Sequence, residues 1–221
     1  MNNQSNIVAL SDTHGFLPEL PPCDIVCIAG DISPLYIQRY HDEVRDWLDT
    51  DFRRWVEELE CKKVMLVAGN HDFAMQSDKT RKLLDNMWKV CYLEDQWIEI
   101  DGKTIYGSPW VAGPPGWAFF DPSFQKVQDT LPKNMDLAIF HQPLCYGENG
   151  KVHQDLGWGL QDFGSQTLED IVRDRKPKKI ITGHVHSGNH DWVDMDGIQL
   201  INVSMLDENY MGSYPYVNFV I

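Results

Sequence analysis

Short apolar runs alternate with amphipathic segments along most of the chain. Five such runs occur, at residues 7–10, 24–29, 64–68, 136–140 and 179–182. Each run has the length of a typical strand and is apolar enough to be covered on both faces, as strands of parallel sheets are. The pattern therefore predicts five buried strands.

Three segments have the periodicity of amphipathic helices. Between the second and third predicted strands, apolar residues recur at three- and four-residue steps, and charged residues occupy the opposite face. The apolar set is Val44, Trp47, Leu48, Trp55, Val56 and Leu59. A second helix is predicted over 78–87, and a third runs from an N-cap at Ser165 to residue 175, shortly before Pro177.

Two segments of alternating polarity each turn at an Asp-Gly pair. Residues 97–107 turn at Asp101 and Gly102, and residues 191–202 turn at Asp196 and Gly197. Asp-Gly between alternating segments predicts a β-hairpin. A closing strand is predicted within 214–221. Since no internal repeat or linker-like segment is evident, we expect one domain over residues 1–221, with an α/β fold built on a mixed sheet or on two packed sheets.

The charge of the chain limits its partners. The formal net charge is −14, from 33 acidic and 19 basic residues. Such an excess repels polyanions and argues against binding of long nucleic acid, while it suits a protein that holds cations.

The expected location is the cytoplasm. No run approaches the roughly 20 apolar residues of a membrane span, and the first residues lack the basic and apolar regions of a signal peptide. We therefore expect no membrane association. Five cysteines without CxxC spacing indicate buried free thiols in a reducing compartment rather than disulfides. They are Cys23, Cys27, Cys61, Cys91 and Cys145.

Residues capable of binding metals follow all five predicted strands. In chain order they are Asp12 and His14; Asp31; Asn70, His71 and Asp72; His141; and His184 and His186. Each fragment alone has an ordinary explanation, such as a turn or a satisfied core histidine. Their repetition at five strand ends has no such ordinary explanation. In open α/β sheets, ligands bind at the carboxyl ends of the strands. The sequence therefore predicts one crevice at which these side chains converge.

The mixture of ligand types indicates the kind of metal. Carboxylates, imidazoles and an amide oxygen together suit Mn, Fe, Zn, Co or Ni better than Mg or Ca. The set is too large for one tetrahedral ion. Two divalent ions about 3.5–4 Å apart that share a carboxylate would use all of it, and such a pair can activate water and support in-line phosphoryl displacement.

The ordered motifs SDTHG, AGDIS, GNHD, FHQP and GHVHSG lie between residues 11 and 188. Together they resemble the calcineurin-like metallophosphoesterase superfamily, and the short chain is similar to its small Icc-related predicted phosphoesterase branch. The resemblance implies a four-layer α/β/β/α sandwich with two mixed β-sheets and a dinuclear metal site at one edge. It also implies phosphoester hydrolysis by in-line attack of a hydroxide that bridges the two metals, with manganese favoured.

The resemblance also assigns residues. It implies that one metal is held by Asp12, His14 and His186, the other by Asn70, His141 and His184, and that Asp31 bridges them. The implied catalytic residues are Asp31, Asn70 and His71, with His71 beside the leaving group. Asp72 is expected to orient its loop rather than bind metal. The segment GDISPLY lacks the second acidic residue that many relatives carry, so His71 is expected to lack a carboxylate partner.

The substrate is less constrained. A small phosphomonoester or phosphodiester is expected, with nucleotides and cyclic nucleotides as leading candidates. The alternatives are a nuclease and a catalytically weak metal-binding scaffold for protein contacts. Loop aromatic residues can stack on a base, but packing of the loops onto the sheet is the favoured interpretation. These residues are Trp110, Trp117, Phe119, Phe120 and Trp158. The natural substrate, the choice between monoester and diester, the physiological metals and the oligomeric state stay open.

Overall fold

The structure, a computed structural model, describes residues 4–153, 161–212 and 214–221. The strands in chain order are β1 (Asn6–Leu10), β2 (Ile25–Ala29), β3 (Lys63–Val67), β4 (Val90–Tyr92), β5 (Gln96–Ile100), β6 (Lys103–Ser108), β7 (Leu137–Phe140), β8 (Lys179–Thr182), β9 (Val193–Met195), β10 (Ile198–Asn202) and β11 (Val217–Val220). The α-helices are α1 (His41–Trp47), α2 (Arg53–Glu58), α3 (Asp78–Asp85), α4 (Gln125–Thr130) and α5 (Gln166–Arg175). Among the described residues, no helix combines the length and the apolar character that a membrane crossing requires.

The strands form two mixed sheets. The first has the order β11-β1-β2-β3-β4, with β1 to β4 parallel and β11 antiparallel to β1. The second has the order β5-β6-β7-β8-β10-β9, in which the four central strands are parallel and the two edge strands are antiparallel. The five predicted strands are all present and parallel to a neighbour. The short strand β4 was not predicted.

Alternation along the strands builds four layers. Ile7 and Ala9 of β1 point into an apolar layer between the two sheets, whereas Val8 and Leu10 face the layer that contains α1 and α2. In β7 of the other sheet, Ile139 also lies between the sheets, and Phe140 packs with the apolar residues of α4 and α5. The predicted α/β/β/α sandwich with two mixed sheets is confirmed.

The predicted long helix is interrupted. Between α1 and α2 the chain makes one stretch of π-helix, Leu48–Phe52. Leu48 and Phe52 are fully buried there, so the wider turn keeps apolar side chains on the sheet. Trp55, expected on the apolar face, is only half-buried, and its indole N–H donates to the Pro18 carbonyl over 2.8 Å. The π-helix departs from the predicted period.

The other local predictions hold with small shifts at the ends. Ser165 caps α5, and its hydroxyl accepts a hydrogen bond from the Leu168 N–H over 3.2 Å. α3 ends at Asp85, two residues before the predicted limit. Both Asp-Gly pairs have positive φ, 52° and 74° in the first hairpin and 53° and 89° in the second, as two-residue hairpin turns require.

The cysteines are free thiols, as expected. Cys27 is buried between the sheets, and burial raises the pKa of its thiol. The expectation of burial is wrong for Cys145, which is exposed, and Cys23, Cys61 and Cys91 are half-buried.

Candidate metal centre

The predicted residues meet at one edge of the sandwich. β1, β2 and β3 of the first sheet and β7 and β8 of the second all end there, because these strands are parallel within their sheets and the sheets pack face to face. The loops that follow bring together the seven predicted metal ligands, namely Asp12, His14, Asp31, Asn70, His141, His184 and His186. The predicted catalytic residue His71 lies beside them.

One set of ligand atoms belongs to Asp12, His14 and His186. One atom from each of these side chains lies within 4.8 Å of the other two. The Nε2 atoms of His14 and His186 are 3.3 Å apart, and His186 Nε2 is 3.4 Å from Asp12 Oδ1. All three residues are buried. This is the first of the two predicted sets.

The second set belongs to Asn70, His141 and His184. Asn70 Oδ1 lies 2.9 Å from His141 Nε2 and 2.7 Å from His184 Nδ1. His141 is fully buried and Asn70 is 5% exposed. Both imidazoles thus point a nitrogen at one amide oxygen.

Asp31 lies between the two sets. Its Oδ2 is 3.3 Å from His141 Nε2 in the second set. It also groups with Asp12 and His141, and separately with His14 and His71, with ligand atoms within 4.8 Å of one another. The other oxygen, Oδ1, accepts a hydrogen bond from the His71 backbone N–H over 2.8 Å. Asp31 therefore lies within reach of ligand atoms of both sets.

The hydrogen bonds around the site leave lone pairs facing each other. His141 Nδ1 lies 2.8 Å from the Ala29 carbonyl oxygen, and His186 Nδ1 lies 2.9 Å from the Asp207 carbonyl oxygen. Since a carbonyl oxygen only accepts, each Nδ1 must donate, and each neutral ring carries its lone pair on Nε2. Those Nε2 atoms face the carboxylates of Asp31 and Asp12. Two hydrogen-bond acceptors that face each other repel unless a cation or a proton lies between them. The ligand atoms of each set therefore fit a divalent metal ion.

Two polar atoms support the same conclusion. Asp12 Oδ2 accepts hydrogen bonds from the His184 backbone N–H over 2.9 Å and from the Ser204 hydroxyl over 2.8 Å. Asp12 Oδ1 and His14 Nδ1 are buried without a hydrogen-bond partner in the described part of the chain. Buried polar atoms without partners are rare, and an ion is one common reason for them.

The electrostatics of the site separate its imidazoles into two classes. Burial lowers the pKa of His14 to about 4 and that of His184 to about 3, so both are neutral at physiological pH. Burial also disfavours charge on His141 and His186, but the adjacent Asp31 and Asp12 outweigh it and raise both pKa values to about 9. The two carboxylates therefore attract one positive charge into each set.

The carboxylates themselves remain ionised. Burial opposes charge on Asp12 and Asp31, yet the neighbouring imidazoles hold the pKa of each carboxyl well below its ordinary value. The two carboxylates and the neutral imidazoles of His14 and His184 therefore have the protonation states in which metal ligands bind, while a bound cation would displace the protons that His141 and His186 take up without it.

The backbone of the site is strained at four of its ligands. Asp12, His14, Asp31 and His184 have φ values of 53°, 45°, 55° and 70°. A residue with a Cβ enters this left-handed region at a cost of about 1 kcal/mol or more, and such residues cluster at functional sites. Four of them at one sheet edge indicate that function, rather than stability, selects this arrangement.

Asp72 organises the loops instead of joining the ligand set. Its Oδ2 accepts hydrogen bonds from the backbone N–H groups of Asp31 and Gly69, both over 2.8 Å. Its Oδ1 accepts from the Ser33 N–H over 2.9 Å and from the Ser33 hydroxyl over 2.7 Å. The buried carboxylate thus ties the loop after β2 to the loop after β3, which confirms its predicted orienting role.

His71 has an amide partner. Its Nδ1 lies 2.6 Å from Gln38 Oε1, while its Nε2 lies 3.9 Å from Asp31 Oδ2. Because the amide oxygen accepts, Nδ1 donates and the Nε2 side of the ring faces the metal-ligand cluster. The partner that the structure gives to Nδ1 is thus an amide oxygen. Sequence reasoning did not find Gln38, which lies in a segment with no helical or strand pattern.

Other residues around the site were also missed. Ser204 and the Asp207 carbonyl hold Asp12 and His186, and Tyr210 packs edge-on against the rings of His14 and His186 at 5.0 and 5.2 Å. They follow β10, and its apolar run was assigned to a hairpin rather than to a sixth strand that leads to the site.

The loop aromatic residues mostly pack, as the favoured interpretation had it. Phe119 is buried, and the Trp110 indole donates to the Asp95 carboxylate over 2.8 Å. Trp117 is different, because its ring lies 4.5 Å from that of His71. Trp158 lies outside the described residues. The remaining histidines do not join the ligand cluster: His41 and His153 are exposed, and His190 stacks on Tyr214.

The fold and this ligand cluster define a metal-binding α/β/β/α protein, and sequence comparison supplies the family. The sequence profile of the calcineurin-like phosphoesterases matches residues 5–188, so the chain belongs to this family.

Individual relatives agree with the family assignment. The chain is 26% identical to UPF0046 protein T07D4.2 of Caenorhabditis elegans, over 91% of this chain and 56% of that protein. It is 25% identical to human metallophosphoesterase domain-containing protein 1, over 96% of this chain and 69% of that protein. The chain thus spans little more than half the length of the nematode relative.

Solved structures share the fold. The phosphopantetheinyl hydrolase of Mycobacterium tuberculosis superposes with a TM-score of 0.57 at 15% identity, covering 95% of this chain and 92% of that one. TT1561 of Thermus thermophilus superposes with a TM-score of 0.56 at 12% identity, covering 97% and 98%. At these identities the similarity shows the architecture alone.

Proposed function

We propose that the protein hydrolyses a small phosphomonoester or phosphodiester with two divalent transition-metal ions bound at the sheet edge. Asp12, His14 and His186 would hold one ion, Asn70, His141 and His184 the other, and Asp31 would be shared. Manganese is the favoured metal, with iron, zinc, cobalt and nickel as alternatives that the same donors suit.

The proposal rests on one observation: two buried sets of metal-ligand atoms lie next to each other, and one carboxylate, Asp31, is close to both. Each set contains an Nε2 lone pair that faces a carboxylate oxygen, and Asp31 contacts residues of both sets. Two bound cations would neutralise both sets at once. When bound, such ions lower the pKa of water toward about 7 and offset the charge of phosphoryl oxygens.

The chain's own residues would position the ester. Asn70 directs its amide oxygen to His141 and His184, so its NH2 group is left to donate to a phosphoryl oxygen. His71 presents Nε2 on the same side, held by Gln38 at Nδ1, and would stabilise the leaving oxygen. The edge-on Tyr210 and the ring of Trp117 would limit the space around the ester.

The charge supports a small substrate. A net charge of −14 disfavours long nucleic acid, and nucleotides or cyclic nucleotides remain the leading candidates. Free thiols support a cytoplasmic location.

The test compares wild type with Asp31→Asn and His184→Ala on p-nitrophenyl phosphate and bis-p-nitrophenyl phosphate after reconstitution with Mn, Zn or Mg. We expect each variant to lose more than about a hundredfold in kcat/KM. Mutating residues that only hydrogen-bond to metal ligands already lowers activity or metal affinity by about 10- to 100-fold, and loss of a ligand should cost more. His41→Ala is the matched control, because His41 is exposed at the start of α1 and should retain full activity. Full activity of Asp31→Asn with a wild-type fold would refute the proposed function.

A further inference from the structure

Arg39 is an exposed cation one residue beyond Gln38, the hydrogen-bond partner of His71. Its guanidinium carbon lies 4.2 Å from the centre of the Phe73 ring and 5.3 Å from that of Trp117. Trp117 in turn contacts His71, with ring centres 4.5 Å apart. Arg39 is therefore linked to the catalytic edge by a single indole ring.

The pairing of the other arginines makes Arg39 unusual. In the described part of the chain every other arginine forms an ion pair with a carboxylate, as expected for a protein with a net charge of −14. These are Arg45, Arg53, Arg54, Arg81, Arg173 and Arg175. No ion pair of Arg39 with a described carboxylate is present. A cation without an acidic partner is available to an anion from outside.

The aromatic contacts prepare the guanidinium for such an anion. The guanidinium carbon lies over the Phe73 and Trp117 rings, and no described residue accepts a hydrogen bond from the Arg39 N–H groups. That edge presents donors in a fixed fork that matches two oxygens of a phosphate. These ring contacts also restrict the side chain before binding, so less conformational freedom is lost when an anion binds.

The position of Arg39 indicates which part of a substrate it meets. Its described contacts are with Phe73 and Trp117, beside His71, and none is with a metal-ligand residue. The reacting phosphoryl group would lie at the ligand cluster, with its leaving group toward His71. Arg39 is thus placed beyond the reacting phosphorus, on the side of the leaving group.

We propose that Arg39 binds a second phosphate on the leaving-group portion of the substrate, so that the preferred substrates are small phosphoesters that carry a further phosphate. This inference rests on the proposed phosphoesterase function. It narrows the substrate class by charge. Only a substrate with a second phosphate can accept hydrogen bonds from the Arg39 guanidinium, because a singly phosphorylated ester does not extend to it.

The experiment uses α,ω-alkanebisphosphonates of increasing chain length, each compared with the alkylphosphonate of the same carbon number. Their C–P bonds resist hydrolysis, so calorimetric titration of the manganese-loaded protein measures binding without turnover. At the best chain length we expect wild type to bind the bisphosphonate about tenfold or more tightly than the matched monophosphonate. This is the gain in affinity expected from one additional hydrogen-bonded ion pair.

The variants assign that preference to Arg39. Arg39→Gln should remove the ratio between the two ligands, and Arg39→Lys should restore only part of it, because an ammonium lacks the fork. Arg54→Gln, an exposed arginine paired with Asp51, is the control and should keep the wild-type ratio.

Three results would overturn the inference. They are the absence of any bisphosphonate preference in wild type, an unchanged ratio in Arg39→Gln, and equal weakening of both ligands in Arg39→Gln, which would place Arg39 at the reacting phosphoryl group. Turnover of p-nitrophenyl phosphate, which carries no second phosphate, tests the proposed function separately.

Discussion

Asp72→Asn probes the connection that shapes the site without removing a proposed ligand. Asparagine has nearly the same shape as aspartate, so the exchange leaves no cavity. The Asp72 side chain is fully buried and receives hydrogen bonds from Asp31, Ser33 and Gly69. The substitution therefore changes only the charge and the hydrogen-bonding capacity of the link between two site loops.

The magnitude follows from those bonds. An amide keeps one oxygen, which can still accept from the Asp31 and Gly69 N–H groups, but its NH2 group then faces the Ser33 N–H. The Ser33 hydroxyl can rotate to accept, whereas the Ser33 N–H is left unpaired at a cost of about 1–3 kcal/mol. The remaining bonds also lose the strength that a charged acceptor gives. Relief from burying a charge offsets part of this loss, so we expect a destabilisation of about 2 kcal/mol.

The assay is urea unfolding of both proteins in the presence of a chelator, so that metal binding does not contribute to the free energy of unfolding. Asp78→Asn serves as the control, because the Asp78 side chain is 87% exposed and its ion pair with Arg81 is long, at 3.5 Å. We expect the control to stay within about 0.5 kcal/mol of wild type. If Asp72→Asn also stays within that range, the carboxylate does not hold the two loops together and our reasoning is wrong.

Three further substitutions test other contacts. Gln38→Ala should lower kcat more for phenyl phosphate than for p-nitrophenyl phosphate, because a loosely held His71 matters most for a poor leaving group; equal losses in steady-state kinetics would contradict this role. Lys89→Met should cost about 2–3 kcal/mol in thermal or urea unfolding, since the buried ammonium donates to the Glu57 and Leu59 carbonyls at 2.9 and 2.6 Å; wild-type stability would exclude it as the cap of α2. Gly183→Ala should reduce manganese content measured by elemental analysis, because the new Cβ would lie 2.5 Å from Asp12 Oδ2; unchanged content would show that the loop yields.

Sequence reasoning found the strands and their chemistry because both are local signals. Buried strands are continuous apolar runs, and the polar residues that end them stand out against those runs. The convergence of Asp12, Asn70 and His141 followed from one rule about the carboxyl ends of parallel strands. The family motifs then added the division of the ligands into two sets.

The missed features depend on tertiary contacts. Gln38 reaches His71 across 33 positions in the sequence, and Ser204 reaches Asp12 across 192. Neither residue type nor its neighbours reveals such a contact. The π-helix at 48–52 also depends on tertiary packing. Burial of Phe52 against the sheet favours the wider π-helical turn over the regular α-helical turn that the sequence pattern predicts. The short strand β4 is specified by pairing with β3 rather than by its own sequence.

The most direct test of the central claim is anomalous X-ray diffraction from crystals of the manganese-loaded protein. The claim is that two cations share Asp31 at the edge where both sheets end. It predicts two anomalous peaks per chain, one beside Asp12, His14 and His186 and one beside Asn70, His141 and His184, with the Asp31 carboxylate in contact with both. A single peak away from Asp31, or none at saturating manganese, would contradict it.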